Sequence, residues 1–405
     1  MATTFNGLLI IPNRPSLYWW ICVAIAFFIP LAQSISAVLI IILFLFSFVQ
    51  PQPERLLRYF TQGWDAYLYF AMLMIGMLYS ADKENGARVI ETSLTILVFP
   101  IAMSRIIDLD RNKLYGLFLS FASGTLLAGI LCILVATTHY YQSGSLTAFT
   151  PDRLTEALEN THPVYFAYYL IFSITFGLYL LYYEPNFIPQ FALIGLLVVL
   201  FGLLMLMGNG TAVLSVLFSF LYFILKFIFD EGKSSTRLTA MLLALIFLIC
   251  LFALSGINKF GMGMQNDDYW ERYILWESAM NAMPDAWTGV GTGGYTNLLN
   301  EYYRSHDLQQ FAEANFNPHN QYIDAWFSWG ILGLLVLLTL IVRPMYMAIM
   351  HESTLGFLSL FPFLIYGMTE VFLGRYQGVV FFIFLHQAFV LLYTQQNKSF
   401  SIKET

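Results

Sequence analysis

Apolar runs long enough to cross a membrane recur along almost the whole of this chain. A helix that crosses a bilayer needs about 20 consecutive, mostly apolar residues. Of the 405 residues, 58% are hydrophobic and 11% are charged, whereas soluble domains carry about 25% charged residues. The chain is therefore predicted to be an all-α integral membrane protein.

Twelve spanning segments are predicted from these runs, and most connections between them are short. The predicted segments are 17–33, 35–49, 64–80, 89–104, 114–139, 163–183, 187–207, 211–229, 237–257, 321–342, 354–372 and 377–394. The connections 140–162 and 258–320 are longer. Because no repeat or low-complexity tract divides the sequence, we expect one polytopic membrane domain over 1–405, with a long helical loop between spans 9 and 10.

The first apolar run is predicted to be a retained span, because the aromatic-rich segment after Arg14 contains no small-residue cleavage site. Cys22, Cys132 and Cys250 all lie inside apolar runs. The sequence therefore predicts no disulfide framework.

Lysines and arginines of the short loops predict the orientation, since cytoplasmic loops carry an excess of them. With a cytoplasmic N-terminus, the cytoplasmic side holds Arg14, Arg55, Arg58, Arg105, Arg111, Lys113, Lys226, Lys233, Arg237, Arg343, Lys398 and Lys403. The opposite short loops hold Lys83, Arg88, Arg153 and Arg375. Both termini are thus expected in the cytoplasm, and 258–320 outside it. The net charge of −6, without a basic stripe, gives no indication of nucleic-acid binding.

The long loop is predicted to begin with an amphipathic helix along the membrane surface, opened by Asn266, Asp267 and Asp268. Its apolar stripe is Tyr269, Tyr273, Trp276, Met280 and Met283. After Pro284 comes the glycine-rich segment 288–295, TGVGTGGY. That segment follows no β-strand and so matches neither a Rossmann turn nor a P-loop, although its backbone N–H groups could still lie near a phosphate.

Arg272, on the polar edge of this helix, has two interpretations. It can be a surface arginine paired with Asp268, one turn earlier. It can also be a phosphate ligand, because guanidinium presents a rigid fork of donors to phosphate oxygens.

His319 lies where the long loop meets the next span. Asn317 is predicted to cap that helix, with Pro318 at its first position and His319 in its first turn. The positive helix end disfavours imidazolium, so a neutral ring is expected near pH 7, as a general base requires. The alternative is an interfacial histidine hydrogen-bonded to the loop.

Charged residues inside or beside spans are costly and usually have a partner or a function. Glu91, Glu370 and Arg375 lie there on the external side, and a salt bridge between Glu370 and Arg375 is one interpretation. His162-Pro163 is a weaker echo of the His319 arrangement, and His386 is interpreted as structural. No cluster has metal-ligand spacing, which favours chemistry without a metal.

Two stretches carry a resemblance to a known family. They are YWERYILWESAMNAMPDAWTGVGTGGY (269–295) and NPHNQYIDAWFSWGILGLL (317–335), and TEVFLGRYQGVVFF (369–382) adds to them. In this order the stretches resemble the bacterial O-antigen ligase and O-antigen polymerase superfamily. The resemblance is specific over about the last half of the chain.

The resemblance implies an inverting, metal-independent glycosyltransferase of the inner membrane that needs no cofactor. Its partners would be a glycan on undecaprenyl pyrophosphate, at the periplasmic side, and an acceptor among the membrane lipids. A ligase passes the glycan to lipid A-core, and a polymerase passes it to the next repeat unit. The general pattern and the glycine-rich turn favour a ligase, with a polymerase, or a protein acceptor, as alternatives.

The resemblance also implies roles for single residues. The family's loop histidine corresponds to His319, as base or acceptor-positioning residue, and its loop arginine to Arg272, which would neutralise the pyrophosphate. The remaining predicted substrate-binding residues are Arg88, Arg375, Glu370, Asn320 and Trp276. Where many members carry Ser-Arg-Gly, this chain reads Gly-Asn-Gly-Thr at 208–211. Arg88 is the best placed candidate for a basic residue found near an external loop in the family.

Two other classes of function remain open from the sequence. A flippase or secondary carrier also suits twelve spans, but carriers tend to have repeated halves and polar sites near the midplane. Here the polar residues gather at one face. A non-catalytic scaffold is the other alternative.

Overall fold

The computed structural model describes residues 14–48, 61–103, 109–159, 161–229 and 266–401. Within those ranges the chain forms fifteen α-helices and two short 3₁₀ turns, without β-strands, which confirms the all-α prediction there. The helices are α1 (Arg14–Phe28), α2 (Gln33–Ser47), α3 (Trp64–Tyr79), α4 (Lys83–Met103), α5 (Arg111–Ser143), α6 (Pro151–Thr155), α7 (Pro163–Tyr183), α8 (Gln190–Leu206), α9 (Gly210–Phe229), α10 (Asn266–Ala282), α11 (Tyr295–Ser305), α12 (Gln309–Glu313), α13 (Gln321–Met350), α14 (Thr354–Gly367) and α15 (Tyr376–Ser401).

Six of these helices are long and apolar enough to cross a membrane, namely α4, α5, α7, α9, α13 and α15. The shorter apolar helices α1, α2, α3, α8 and α14 coincide with further predicted spans. The predicted span 237–257 lies outside the described residues, so the count of twelve stays a prediction. The chain is a multi-pass membrane protein.

α7 lies at the centre of the bundle, and its apolar residues are buried inside the protein. It packs against α5, α8, α9 and α14, and the core around it is rich in aromatic rings packed edge to face or stacked. Phe121 of α5, for example, stacks on Phe381 of α15 with ring centroids 5.0 Å apart. On the outer helices, large apolar side chains point away from the protein, with Leu78 and Phe191 both 81% exposed. Such a surface suits contact with lipid tails.

α13 is interrupted at Gly330, whose φ of 64° is not helical. The glycine-rich segment fills the break: the Val290 N–H donates to the Phe327 carbonyl at 3.1 Å, and the Gly291 N–H donates to the Ser328 carbonyl at 2.7 Å. A Cβ on Gly330 would lie 2.0 Å from the Trp287 carbonyl oxygen, so only glycine fits this crossing. The idea that this segment offers its N–H groups to a phosphate is therefore wrong for Val290 and Gly291, because α13 occupies them.

The long loop forms a helical cap with a small core of its own. That core consists of Leu275, Ala279, Leu299, Tyr303, Phe311, Ala312 and, from α13, Phe327. Tyr273 and Met280, on the stripe of α10 predicted to lie along the membrane surface, are 55% and 50% exposed. Leu275 and Ala279 of the same helix pack instead into the core of the cap.

Candidate functional site

Glu370 joins the two residues that the sequence singled out in the long loop. One carboxylate oxygen lies 3.2 Å from Nδ1 of His319, and the other lies 3.4 Å from a terminal guanidinium nitrogen of Arg272. The side chains of Glu370, Arg272 and His319 are 17%, 24% and 30% exposed. The three form a partly open cluster, called the Glu370 cluster below.

His319 does not lie in the first turn of α13, as the sequence suggested. The helix begins at Gln321, and Asn320 rather than Asn317 caps it, with its side-chain oxygen accepting from Tyr322 N at 3.0 Å. His319 precedes the cap in the left-handed region, with φ of 44°. The Asn317 side chain holds this turn by accepting from the His319 N–H at 2.8 Å. Such a backbone conformation is uncommon for a non-glycine residue and persists where neighbouring contacts fix it.

Two further side chains tie this turn to the segment that carries Glu370. The Asn320 amide donates to the Met368 carbonyl at 3.2 Å. The Gln321 side-chain oxygen accepts from the Leu373 N–H at 2.7 Å. Asn320 is a predicted substrate-binding residue. Its side-chain oxygen caps α13 and its side-chain nitrogen donates to Met368, so we propose that it positions the His319 turn.

The salt bridge between Glu370 and Arg375 that the sequence allowed is not formed. The carboxylate turns instead to Arg272 and His319, which reach it from α10 and from the start of α13. Arg375 is exposed at the start of α15. The alternative partner of Arg272, the Asp268 side chain, lies outside the described residues.

The bond to Glu370 sets the tautomer of His319. A carboxylate can only accept, so Nδ1 must be the donor, and in the neutral ring the lone pair then resides on Nε2. A carboxylate held in this way on one imidazole nitrogen orients the ring and stabilises the imidazolium that forms when the other nitrogen takes a proton. His319 is therefore arranged as a proton acceptor.

His162 and Arg375 belong to the same electrostatic neighbourhood. His162 caps α7, with Nδ1 accepting from Val164 N at 3.4 Å. Loss of water contact lowers the pKa of His162, and Arg375 lowers it further, whereas Glu370 acts in the opposite direction. From the sequence, His162 is only a weaker echo of the His319 arrangement, and the fold brings it near the site from the other long connection.

A cavity of about 670 Å³ opens beside the Glu370 cluster. It borders the His319 turn through Asn317 and the Glu370 segment through Val371 and Gly374. Its other lining residues include Tyr69, Asp82, Glu84, Asn85, Arg88, Tyr295, Asn315, Gln321, Asp324 and Trp329. Ligand pockets of proteins have volumes in this range.

Arg88 and Trp276, both predicted to bind substrate, lie in different places. Arg88 lies at the cavity and forms an ion pair with Glu84, both side chains being well exposed. Trp276 lies one turn after Arg272 on α10, with an indole N–H that is buried and has no hydrogen-bond partner among the described residues. The structure therefore connects Arg88 with the cavity and Trp276 with the Arg272 helix.

Asp324 is a cavity residue that sequence reasoning missed. It is 9% exposed and lies in the first turn of α13. Gln321 donates to its carboxylate at 3.3 Å. A carboxylate within a predicted span is itself a functional signal, and this signal would have found it.

Part of the chain is similar to a known protein family. Residues 194–338 match the family model described as O-antigen ligase. A protein of Haemophilus influenzae described as uncharacterized is 24% identical over 139 residues, which are 31% of this chain and 35% of that relative. The aligned part thus spans about a third of the relative's length.

The matched residues contain Arg272, His319 and both of the longer stretches that carried the resemblance, whereas Glu370 lies beyond them. The match supports the resemblance to the O-antigen ligase superfamily over residues 194–338.

Proposed function

We propose that this protein is a membrane glycosyltransferase that moves a glycan from undecaprenyl pyrophosphate to an acceptor such as lipid A-core. The observation that carries the proposal is the Glu370 cluster, in which a proton acceptor and a guanidinium share one carboxylate beside a large polar cavity. Two of its three members lie within the segment matched to O-antigen ligases.

His319 is the proposed general base. The acceptor hydroxyl gives its proton to Nε2 of His319 while its oxygen bonds to the anomeric carbon. The bond from that carbon to the pyrophosphate oxygen breaks, and the electron pair leaves with the pyrophosphate. Such a single displacement inverts the anomeric centre. Glu370 keeps Nδ1 as the donor throughout, and general-base catalysis of this kind contributes about 10²–10⁴-fold.

Arg272 is the proposed ligand of the departing pyrophosphate. Guanidinium carries five N–H donors, and its contact of 3.4 Å to Glu370 is long for a charge-assisted bond. Arg272 therefore retains donors for phosphate oxygens. Arg375 supplies a second positive charge near the Glu370 cluster, whereas Arg88 lies in the wall of the cavity.

The transfer takes place on the periplasmic side of the inner membrane, as the cation distribution of the loops predicts. Polymerisation of repeat units is the second candidate function, since the same chemistry serves both and only the acceptor differs. The family match is compatible with both reactions, and the general sequence pattern with its glycine-rich turn favours the ligase.

Deletion of the gene in its host, followed by gel analysis of surface lipopolysaccharide, tests the function. Loss of all O-antigen from the core, with accumulation of carrier-linked polymer, is expected for a ligase. Core carrying a single repeat, with loss of the ladder, identifies a polymerase. A normal ladder contradicts both.

Complementation then tests the site. Wild type should restore the ladder, and His319→Ala at equal protein level should not. His306→Ala is the matched control, because His306 is an exposed histidine of the same loop whose ring stacks on Tyr302. Rescue by His319→Ala would remove the histidine from the chemistry.

A further inference from the structure

The cavity beside the Glu370 cluster has an acidic lining. Asp82, Glu84 and Asp324 contribute three carboxyl groups, and Arg88 is the one cation among the described lining residues. Since Arg88 is paired with Glu84, Asp82 and Asp324 remain without a cationic partner in that lining. Such a wall repels phosphate and carboxylate groups and favours neutral or positively charged ones.

The polar groups of the cavity suit hydroxyl-rich molecules. Asp324, which receives the Gln321 amide at 3.3 Å, retains acceptor capacity because a carboxylate offers about four lone-pair positions. The hydroxyl of Tyr295 also donates to the Asp324 carboxylate. Loss of water contact raises the pKa of Tyr295 well above its ordinary value, and Asp324 raises that pKa further. Carboxylates and side-chain amides in such a place accept from and donate to several sugar hydroxyls at once.

Aromatic side chains complete the wall. Trp329 and Tyr69 pack edge to face with centroids 5.6 Å apart, and both line the cavity. The Trp329 indole N–H donates to Thr292 at 2.9 Å, so this ring is held in place. Fixed aromatic rings beside convergent hydrogen-bonding groups are the usual composition of a small-molecule site.

We propose that this cavity is a saccharide subsite whose acidic wall, with Asp324 at its base, selects sugars that are neutral or carry amino groups and excludes acidic sugars. The inference rests on the proposed glycosyl transfer and specifies one property of its substrates. It also separates two tasks in space: the Glu370 side, with Arg272 and Arg375, takes the pyrophosphate, and the acidic cavity takes the sugar that lacks a negative charge.

Tryptophan fluorescence of the detergent-solubilised full chain tests the charge selection, because Trp329 lines the cavity. Three disaccharides of similar size are titrated: the dimer of glucosamine, its N-acetylated neutral form, and a digalacturonate. We expect the amino and neutral dimers to bind and the digalacturonate to bind at least tenfold more weakly. Equal or tighter binding of the digalacturonate, or no response to any of the three, overturns the proposal.

Asp324→Asn removes the charge at nearly constant shape. We expect it to weaken the amino dimer by about tenfold, as for one lost charge-assisted hydrogen bond, and to reduce the discrimination against digalacturonate. Asp82→Asn, which preserves the cap of α4, should have a smaller effect in the same direction and serves if Asp324→Asn does not fold. Glu301→Gln removes an exposed charge of α11 away from the lining and should leave all three affinities unchanged. Unchanged selectivity in both cavity variants contradicts the assignment.

The outcome is independent of the lipopolysaccharide gel. Charge-selective binding together with a normal ladder in the deletion strain would retain the saccharide site and reject the proposed function. Loss of the ladder together with absent or unselective binding would retain the function and reject this inference.

Discussion

The protein contains two clusters made of the same three chemical groups in different surroundings. In each, one carboxylate joins an arginine to a histidine. Asp65 of α3 binds Arg343 of α13 at 2.7 Å and His386 of α15 at 2.8 Å. Glu370 binds Arg272 and His319 at 3.4 and 3.2 Å.

The two clusters differ more in the burial of their side chains than in the lengths of their bonds. The side chains of Asp65 and His386 are fully buried, and Arg343 is 16% exposed. Two further contacts hold this cluster: Arg343 donates to the Gln62 carbonyl at 3.0 Å, and the Gln387 amide lies 3.1 Å from His386 Nδ1. This buried cluster, called the Asp65 cluster below, binds three helices to one another.

The Glu370 cluster has bonds that are longer and side chains that are between 17% and 30% exposed. It also borders a cavity, and its histidine has strained backbone. The residue types alone therefore do not mark a site. Partial exposure beside a cavity is what distinguishes the Glu370 cluster from the Asp65 cluster.

Replacing the two histidines should give the largest difference. His319→Ala is expected to lower transfer activity by about 10²–10⁴-fold, because the general base is lost, with little change in unfolding temperature. His386→Ala should lower the unfolding temperature, because it leaves the Asp65 carboxylate without one of its partners. Transfer of labelled glycan by purified protein and thermal unfolding in detergent measure the two effects. If His386→Ala costs as much activity per folded molecule as His319→Ala, the two clusters are not functionally distinct.

Carboxylate-to-amide changes test the same difference between the two clusters. Asp65→Asn is expected to destabilise the fold by about 3 kcal/mol or more, since one partner of a buried ion pair is neutralised. Glu370→Gln should change stability little and lower activity by roughly 10- to 100-fold, by analogy with metal-ligating histidines that lose their carboxylate partner. Denaturation of both variants in detergent, beside their activities, gives the comparison. The reverse pattern would assign the chemistry to the buried cluster.

Arg272→Lys keeps the charge and loses the planar fork of donors. We expect a fall in kcat/KM of about tenfold, because a bidentate phosphate contact becomes a single one. Arg304→Lys, in an exposed arginine of the same loop, is the matched control and should behave like wild type. Wild-type kinetics in Arg272→Lys would show that the fork does not bind phosphate.

The helices and two members of the Glu370 cluster follow from local sequence signals. Hydrophobic runs locate the spans, and a histidine or an arginine at the edge of such a run stands out. Long-range pairing does not follow from such signals. Glu370 is 98 residues from Arg272 and 51 residues from His319, and Arg375, only five residues away, was an equally reasonable partner on charge alone.

The detailed structure of the His319 turn could not be predicted from the sequence for a related reason. Asn317 and Asn320 are both good caps, and the left-handed backbone of His319 decides between them. The glycine-rich segment also has two uses, anion binding or close packing, and only the break at Gly330 shows that it packs into α13. In both cases, contacts between distant elements select one of several locally acceptable structures.

The smallest expected effect concerns pH and His162. Its pKa is lowered in the folded protein, so the unfolded chain binds the proton more readily and stability must fall with decreasing pH. The loss begins below about pH 6.5, the ordinary value for histidine, and continues down to the folded pKa. His162→Asn preserves a helix cap without this titration, and its unfolding temperature should decline less between pH 7.5 and 5.5 than that of the wild type. Identical pH slopes for the two proteins would show that His162 is not held neutral near the Glu370 cluster.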